Sequence, residues 1–196
     1  MVQAVAGAGK TTFLLNQLNL ENNVALITYT KNNQEQLKEN IIKKFGYYPN
    51  NIHVFGLFEF LYNFCYRPLQ NKYPITGICF DHPSPYLKGF HHKDGRIYSN
   101  QISRLLLAEK INYLTRIERF FDYFYIDEVQ DIAADDFDWL MSLKDLKIPV
   151  TLVGDFYQST FVSSRRGNKG KAIYSSIENY KNQFDQNGFH FEESKL

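Results

Sequence analysis

A glycine-rich turn near the start of this 196-residue chain constrains its fold more than any other feature. An apolar segment at 1–5 and a helical stripe at 10–20 are joined by the run Ala4-Val5-Ala6-Gly7-Ala8-Gly9-Lys10-Thr11, which overlaps the end of the first and the start of the second. The phosphate-binding pattern is Gly-x4-Gly-Lys-Ser/Thr, and here Ala4 stands at its first glycine. Glycines let the backbone approach an anion, which the N–H groups at the next helix start attract. The run, called the phosphate loop below, therefore predicts a strand–loop–helix unit that binds phosphate.

Apolar segments of strand length alternate with helical stripes along the rest of the chain. The pattern predicts strands at 24–29, 51–55, 121–126 and 149–153, and helices at 33–45, 56–66, 100–120, 132–146 and about 171–184. Strands that alternate with helices indicate a parallel sheet covered by helices on both faces. We therefore expect a single α/β domain over residues 1–196.

The segment 67–98 interrupts this alternation. It contains four of the six prolines and also His82, His91 and His92. Its turn-forming residues predict a short irregular insertion. A His-His pair without a cysteine at zinc spacing is not typical of a zinc site, so the sequence does not predict a metal here.

Composition limits the possible partners and the compartment. The net charge is only +1, so any contact with nucleic acid has to come from a local patch or from another domain. Aromatic residues reach 16%, and we expect most of these rings in the core. Cys65 and Cys79 form no zinc or disulfide pattern, which indicates a reducing compartment and predicts a cytoplasmic protein. No run reaches the ~18 apolar residues of a membrane span, so no membrane contact is predicted.

Two acidic residues follow the apolar segment at 121–126. Asp127 and Glu128 come where this strand would end, and the carboxyl ends of parallel strands face the ligand crevice. At that position Asp127 can hold Mg²⁺, and Glu128 can deprotonate an attacking water. A solvated Asp-Glu pair at a helix start has the same pattern. Its combination with the phosphate loop favours nucleotide hydrolysis.

The order of these motifs resembles that of the UvrD/Rep-like superfamily 1 DNA helicases. The resemblance rests on segments 6–11 for motif I, Thr28-Tyr29-Thr30-Lys31-Asn32 for motif Ia, Asp127-Glu128-Val129-Gln130-Asp131 for motif II and Val153-Gly154-Asp155-Phe156-Tyr157-Gln158-Ser159 for motif III. A fifth segment, Val54-Phe55-Gly56-Leu57-Phe58, resembles the family's Phe-His-Ser-Phe segment less closely. The resemblance implies a RecA-like P-loop domain that binds ATP and Mg²⁺.

The resemblance also implies roles for single residues. Nucleotide contacts are expected from Ala6, Gly7, Ala8, Gly9, Lys10, Thr11, Thr12, Asp127 and Gln158. Thr11 and Asp127 would bind the metal. Lys10, Glu128 and Gln158 would act in catalysis, as phosphate ligand, general base and γ-phosphate sensor. Contacts with single-stranded DNA are expected from Tyr29, Thr30, Phe55, Arg165 and Arg166, although a basic run such as 165–171 is equally typical of a solvated loop.

A second domain is implied as a partner. The family's second RecA-like domain, with motifs IV to VI and an arginine finger, is not represented among these motifs, and the short insertion stands where the family carries a larger accessory domain. We therefore expect this chain alone to bind nucleotide and to hydrolyse it slowly. The sequence leaves open a nucleotide-gated regulatory module. A small-molecule kinase shares the phosphate loop, but motifs II and III argue against it.

Overall fold

The computed structural model describes residues 1–3, 9–70, 75–81, 89–159 and 172–193. The strands of these ranges are β1 Val2–Gln3, β2 Val24–Thr28, β3 Ile52–Gly56, β4 Ile78–Cys79, β5 Ile97–Tyr98, β6 Tyr123–Ile126, β7 Val150–Gly154 and β8 Glu192–Glu193. The helices are α1 Lys10–Gln17, α2 Lys31–Phe45, α3 Leu57–Glu59, α4 Ile102–Ala108, α5 Tyr113–Phe120, α6 Ala134–Ser142 and α7 Ile177–Gln186. The predicted strand 1–5 is thus described only as far as Gln3.

Six of the strands form one sheet in the order β3-β2-β6-β7-β1-β8. Each neighbouring pair is parallel, and Ile126 of β6 lies beside Ile27 of β2 and Leu152 of β7. β7 therefore separates β1, which precedes the phosphate loop, from β6, which precedes the acidic pair. The predicted α/β class, with a parallel sheet, is confirmed.

Side chains alternate between two hydrophobic layers, one on each face of the sheet. Val24 and Leu26 face a layer that includes Leu14 of α1 and Leu37 of α2. The intervening strand residues face the larger layer, which is formed with Phe60, Leu105, Ile117, Phe137, Tyr180 and Phe184 from the later helices. Most of the aromatic rings described lie in or against this layer, so the high aromatic content does serve the core. Helices on both faces are confirmed.

The long helix predicted over 100–120 is wrong, because the chain breaks between α4 and α5. Lys110 has a left-handed backbone conformation (φ 51°), and Asn112 caps the next helix by accepting a hydrogen bond from the Thr115 N–H (3.4 Å). Both helices keep the apolar stripe facing the same core layer, so hydrophobic spacing alone did not reveal the break.

Three other segments differ in detail from the sequence expectation. The helix predicted at 56–66 is α-helical only in α3 and continues as a wider π-helix over Phe60–Tyr66. The insertion 67–98 contains a small parallel sheet of β4 and β5. The edge strand β8 carries two exposed glutamates and was not predicted.

Among the residues described, no helix combines the length and the apolar character that crossing a bilayer requires.

Candidate functional site

The carboxyl ends of β1, β6 and β7 bring polar residues to one edge of the main sheet. Gln3 ends β1, Asp127 follows β6 and Asp155 follows β7. All three are buried, and the two aspartates are 4% and 1% exposed. Because buried carboxylates are stable only with nearby hydrogen-bond donors or cations, we expect such groups around these side chains.

Lys10 supplies a cation to this edge. Gly9 has φ 86°, a left-handed conformation that glycine adopts without strain, and α1 begins directly after it. The Lys10 Nζ lies 3.8 Å from Asp155 Oδ2, and the two side chains are 10% and 2% exposed. The helix start therefore directs the lysine ammonium into the edge and not into solvent.

Asp127 lies close enough to Lys10 for the ammonium charge to lower the pKa of its carboxyl group. Its pKa is raised to about 7, first by burial and then by the neighbouring charge of Glu128. A hydrogen bond from the Glu128 N–H to Oδ1 (3.0 Å) and the Lys10 ammonium both lower the pKa. The lysine and the acidic pair are thus close enough to interact. A buried carboxylate beside a second one, not fully balanced by cations, suits a hard divalent ion such as Mg²⁺.

Glu128 is held in an uncommon backbone conformation. Its φ of 56° and ψ of 44° are left-handed, which costs about 1–3 kcal/mol for a non-glycine residue. Its Oε2 accepts a hydrogen bond from Gln130 Nε2 at 2.7 Å. The turn after β6 and this bond together fix the direction of the Glu128 carboxylate.

Gln130 joins the ends of β6 and β7. Its Oε1 accepts a hydrogen bond from the Asp155 N–H (2.8 Å), and Ser159 Oγ donates to its backbone oxygen (2.9 Å). A Cβ on Gly154 would lie 2.7 Å from Gln130 Oε1, so the bridge requires glycine at 154. Residues Lys10, Asp127, Glu128, Gln130 and Asp155 are called the edge cluster below.

Gln158 contacts the edge cluster through a hydrogen bond to Asp155. Gln158 Nε2 donates to Asp155 Oδ2 at 2.5 Å, and Asp155 Oδ1 accepts from the Tyr157 N–H (3.1 Å) and from Gln3 Nε2 (3.4 Å). Gln3 Oε1 also accepts from the Phe156 N–H (3.0 Å). The bridging roles of Gln130, Asp155 and Gln3 were not predicted, although the first two lie in motifs II and III.

The remaining nucleotide positions precede α1 in the sequence or lie in its first turn. Thr11 is half-buried and Thr12 is exposed on the first turn of the helix. Ala6, Gly7 and Ala8 lie outside the described residues. The nucleotide contacts of these two threonines and three loop residues stay predictions.

The residues expected to contact DNA lie in different environments. Tyr29 is half-buried and meets Phe58 edge to face at 5.8 Å. Thr30 caps α2, because its hydroxyl accepts a hydrogen bond from the Asn33 N–H at 3.1 Å. Arg165 and Arg166 lie outside the described residues.

Phe55 is half-buried and packs against the larger hydrophobic layer. Its ring contacts Phe60, Phe64 and Phe121 at centroid distances of 5.4, 6.3 and 6.2 Å. These contacts give Phe55 and Thr30 structural roles, and their predicted DNA contacts stay predictions.

Comparison with known proteins finds no relative by sequence. No protein-family model matches the chain, and no curated protein matches it significantly. The structure is similar to Pif1 of a Bacteroides species in complex with ADP-AlF4, at 18% identity and a TM-score of 0.42, over 98% of this chain and 36% of that chain. Unliganded Pif1 and Pif1 bound to ssDNA, also from Bacteroides, match at 15% identity with TM-scores of 0.28 and 0.26, over 97% of this chain and 41% and 42% of theirs.

The chain therefore spans less than half the length of each of these structures. At these scores the likeness carries no argument about the site. The candidate nucleotide site stands on the edge cluster.

Proposed function

We propose that this chain is the ATP-binding domain of a UvrD/Rep-like superfamily 1 DNA helicase, which hydrolyses Mg·ATP to drive translocation on single-stranded DNA when a second RecA-like domain is present. One observation carries the proposal: Lys10, Asp127 and Asp155 lie together at the carboxyl edge of the parallel sheet. These residues come from three separate motifs, and folding unites their charges where such sheets bind ligands.

Phosphate binding is assigned to the start of α1. The Lys10 ammonium binds the β- and γ-phosphates, aided by the N–H groups of the phosphate loop and the helix N-terminus. Before nucleotide binds, Asp155 holds the ammonium in the edge. The lysine is thus already oriented, which reduces the entropy lost when phosphate binds.

Metal binding and water activation are assigned to the acidic pair. Bound Mg·ATP supplies the phosphoanhydride bond and the charge of the metal. Thr11 and Asp127 hold the metal, and Glu128 accepts a proton from the attacking water. The bond from Gln130 to Glu128 (2.7 Å) keeps this carboxylate in one orientation and leaves its other oxygen for the water.

Coupling to DNA is assigned to motif III. Gln158 contacts Asp155, which in turn contacts Lys10, so a change at the phosphates can reach the segment after β7. Tyr29, Thr30 and Phe55 are proposed to face single-stranded DNA, and Arg165 and Arg166 its phosphates. Of these, Tyr29 has the side chain best suited to stack on a base, because it is half-buried and lies next to the sheet edge.

A nucleotide-gated regulatory module is the second candidate. Two observations favour it: the net charge of +1 and the packing of the half-buried Phe55 ring against the larger hydrophobic layer. Such a module would bind Mg·ATP at the same edge cluster but would show no response to DNA.

Steady-state ATP hydrolysis with and without single-stranded DNA separates the two candidates. A protein that contains this chain and the second domain is expected to be stimulated by DNA. Tyr29→Ala should weaken DNA binding by roughly 5–150-fold, because base–aromatic stacking is worth about 1–3 kcal/mol. Tyr47→Ala, at an exposed tyrosine at the far end of α2, is the matched control and should change nothing. Hydrolysis that does not respond to DNA contradicts the motor and supports the module.

A further inference from the structure

A second group of chemically reactive side chains lies in the insertion, away from the edge cluster. Cys79 Sγ, a carboxylate oxygen of Asp81 and a ring nitrogen of His92 all lie within 4.8 Å of one another. Cys79 ends β4, and the backbone of His91 pairs with Ile97 of β5. The small sheet thus brings together donors that are 13 residues apart in the sequence, which is why the sequence alone did not predict them as a set.

We propose that Cys79, Asp81 and His92, called the insertion cluster below, bind a zinc ion with water as the fourth ligand. Thiolate, carboxylate and imidazole are all zinc ligands, and three protein donors with one water form a common four-coordinate arrangement. The site does not depend on the proposed nucleotide function.

The distances between the donors suit zinc. Bonds of about 2.0–2.3 Å in a tetrahedron place neighbouring ligand atoms about 3.3–3.8 Å apart. Cys79 Sγ and Asp81 Oδ2 are already 3.3 Å apart, joined by a hydrogen bond from the thiol. The imidazole, within 4.8 Å of both, needs to move by at most about 1.5 Å to complete the set.

Asp94 supports His92 as a ligand. The His92 Nδ1 lies 2.7 Å from Asp94 Oδ1, so we assign the proton to Nδ1 and the lone pair that would bind the ion to Nε2. A carboxylate on the far nitrogen fixes the tautomer and the ring orientation in many metal sites, and it raises the basicity of the ligand. The Asp94 carboxylate also accepts a hydrogen bond from Arg96 Nε at 2.7 Å.

Charges balance when the ion is bound. The thiol proton of Cys79 passes to solvent on binding, and the thiolate and the Asp81 carboxylate then neutralise Zn²⁺. The charge of Asp94 is balanced by Arg96. Cys79 is buried, His92 is half-buried and Asp81 is exposed, so the ion can reach the site from the Asp81 side while the sulfur stays shielded from water.

Binding of Co²⁺ to the purified, reduced chain without nucleotide tests the proposal, because cobalt substitutes for zinc and reports thiolate ligands by a charge-transfer absorption band. The wild-type protein is expected to show the band at one equivalent of Co²⁺ and to lose it when Zn²⁺ is added. Cys79→Ser should abolish the band, and His92→Gln should weaken binding. Asp94→Asn should weaken binding by about 10–100-fold, as expected for a residue that orients a ligand.

The chain offers two matched controls. Cys65→Ala removes its other cysteine, which is buried in the core, and should keep the band. His91→Gln removes the neighbouring histidine and should also keep it. A wild-type chain without the band overturns the proposal, as does a band that survives in Cys79→Ser and His92→Gln. Loss of the band in folded Cys65→Ala, checked by circular dichroism, would show that the wrong sulfur was chosen.

Discussion

The edge cluster and the insertion cluster are held together in different ways. In the edge cluster, Gln130 bonds to Glu128 and to the backbone of Asp155, and Lys10 is paired with Asp155. In the insertion cluster, a hydrogen bond connects Cys79 to Asp81, and His92 is held from outside by Asp94. The first cluster stands on the main sheet, whereas the second stands on strands of two residues.

This difference indicates how the arrangement of each site depends on its ligand. A cluster already fixed by hydrogen bonds is preorganised, so a ligand mainly changes its charge state. A cluster on short strands gains its final arrangement from the ion, so metal binding and folding are coupled there. Substitutions should therefore alter catalysis, pH dependence and packing at the edge cluster, and metal affinity at the insertion cluster.

The largest expected effect concerns the proposed general base. Glu128→Gln in a protein with both domains should lower the rate of ATP hydrolysis by about 10²–10⁴-fold, the usual contribution of a general base. Nucleotide affinity should be kept, since glutamine has the same shape. Single-turnover hydrolysis measures the rate, and Glu39→Gln on the exposed side of α2 is the control. A turnover equal to wild type would remove Glu128 from the mechanism.

The next effect is a pH-dependent stability caused by Asp127. Its folded-state pKa of about 7 lies above the ordinary 3.8. An acid whose pKa is raised by folding stabilises the folded state at low pH, and this contribution is lost as the pH rises from about 3.8 to about 7. Asp127→Asn avoids the loss, so its advantage in unfolding free energy over wild type should grow across this range to about 4 kcal/mol.

Urea unfolding of the nucleotide-free chain at several pH values measures this advantage. Asp145→Asn, at an exposed aspartate, should follow wild type at each pH. If Asp127→Asn gains nothing between pH 5 and pH 8, the carboxylate is not buried beside Glu128 as described.

The smallest effect compares a glycine from each region. In Gly154→Ala the new methyl would lie 2.7 Å from Gln130 Oε1, whereas in Gly77→Ala, next to β4, the nearest atom is 3.9 Å away. We expect Gly154→Ala to lower the unfolding free energy by about 1–3 kcal/mol through overpacking, and Gly77→Ala to leave it nearly unchanged. Equal losses of unfolding free energy in the two variants would mean that the packing around Gly154 and Gln130 is no tighter than the packing around Gly77.

The parallel fold could be predicted from the sequence because its signals are local. Alternating apolar segments and helical stripes located each strand of the main sheet except β8, whose two glutamates show no apolar pattern. The break between α4 and α5 was missed because the hydrophobic stripe continues across Lys110 and Asn112. Backbone reversals that keep the same face buried leave no trace in hydrophobic spacing.

The edge cluster was only partly predictable. Lys10, Asp127 and Glu128 belong to motifs whose chemistry is known, whereas the bridge through Gln130 needs the register that places β7 beside β6. The insertion cluster was not predictable, because Cys79 and His92 meet through the pairing of both β4 and the backbone of His91 with β5. In both places the missing information is a contact between strands.

The most direct test of the central claim is calorimetric titration of the chain with Mg·ATP. Lys10 and the acidic pair are proposed to form one site, so Lys10→Ala should weaken binding by about 30-fold or more, the cost of truncating one partner of a buried charge pair. Lys31→Ala, an exposed lysine at the start of the next helix, should bind as wild type does. If Lys10→Ala binds Mg·ATP with wild-type affinity, the edge cluster is not the nucleotide site.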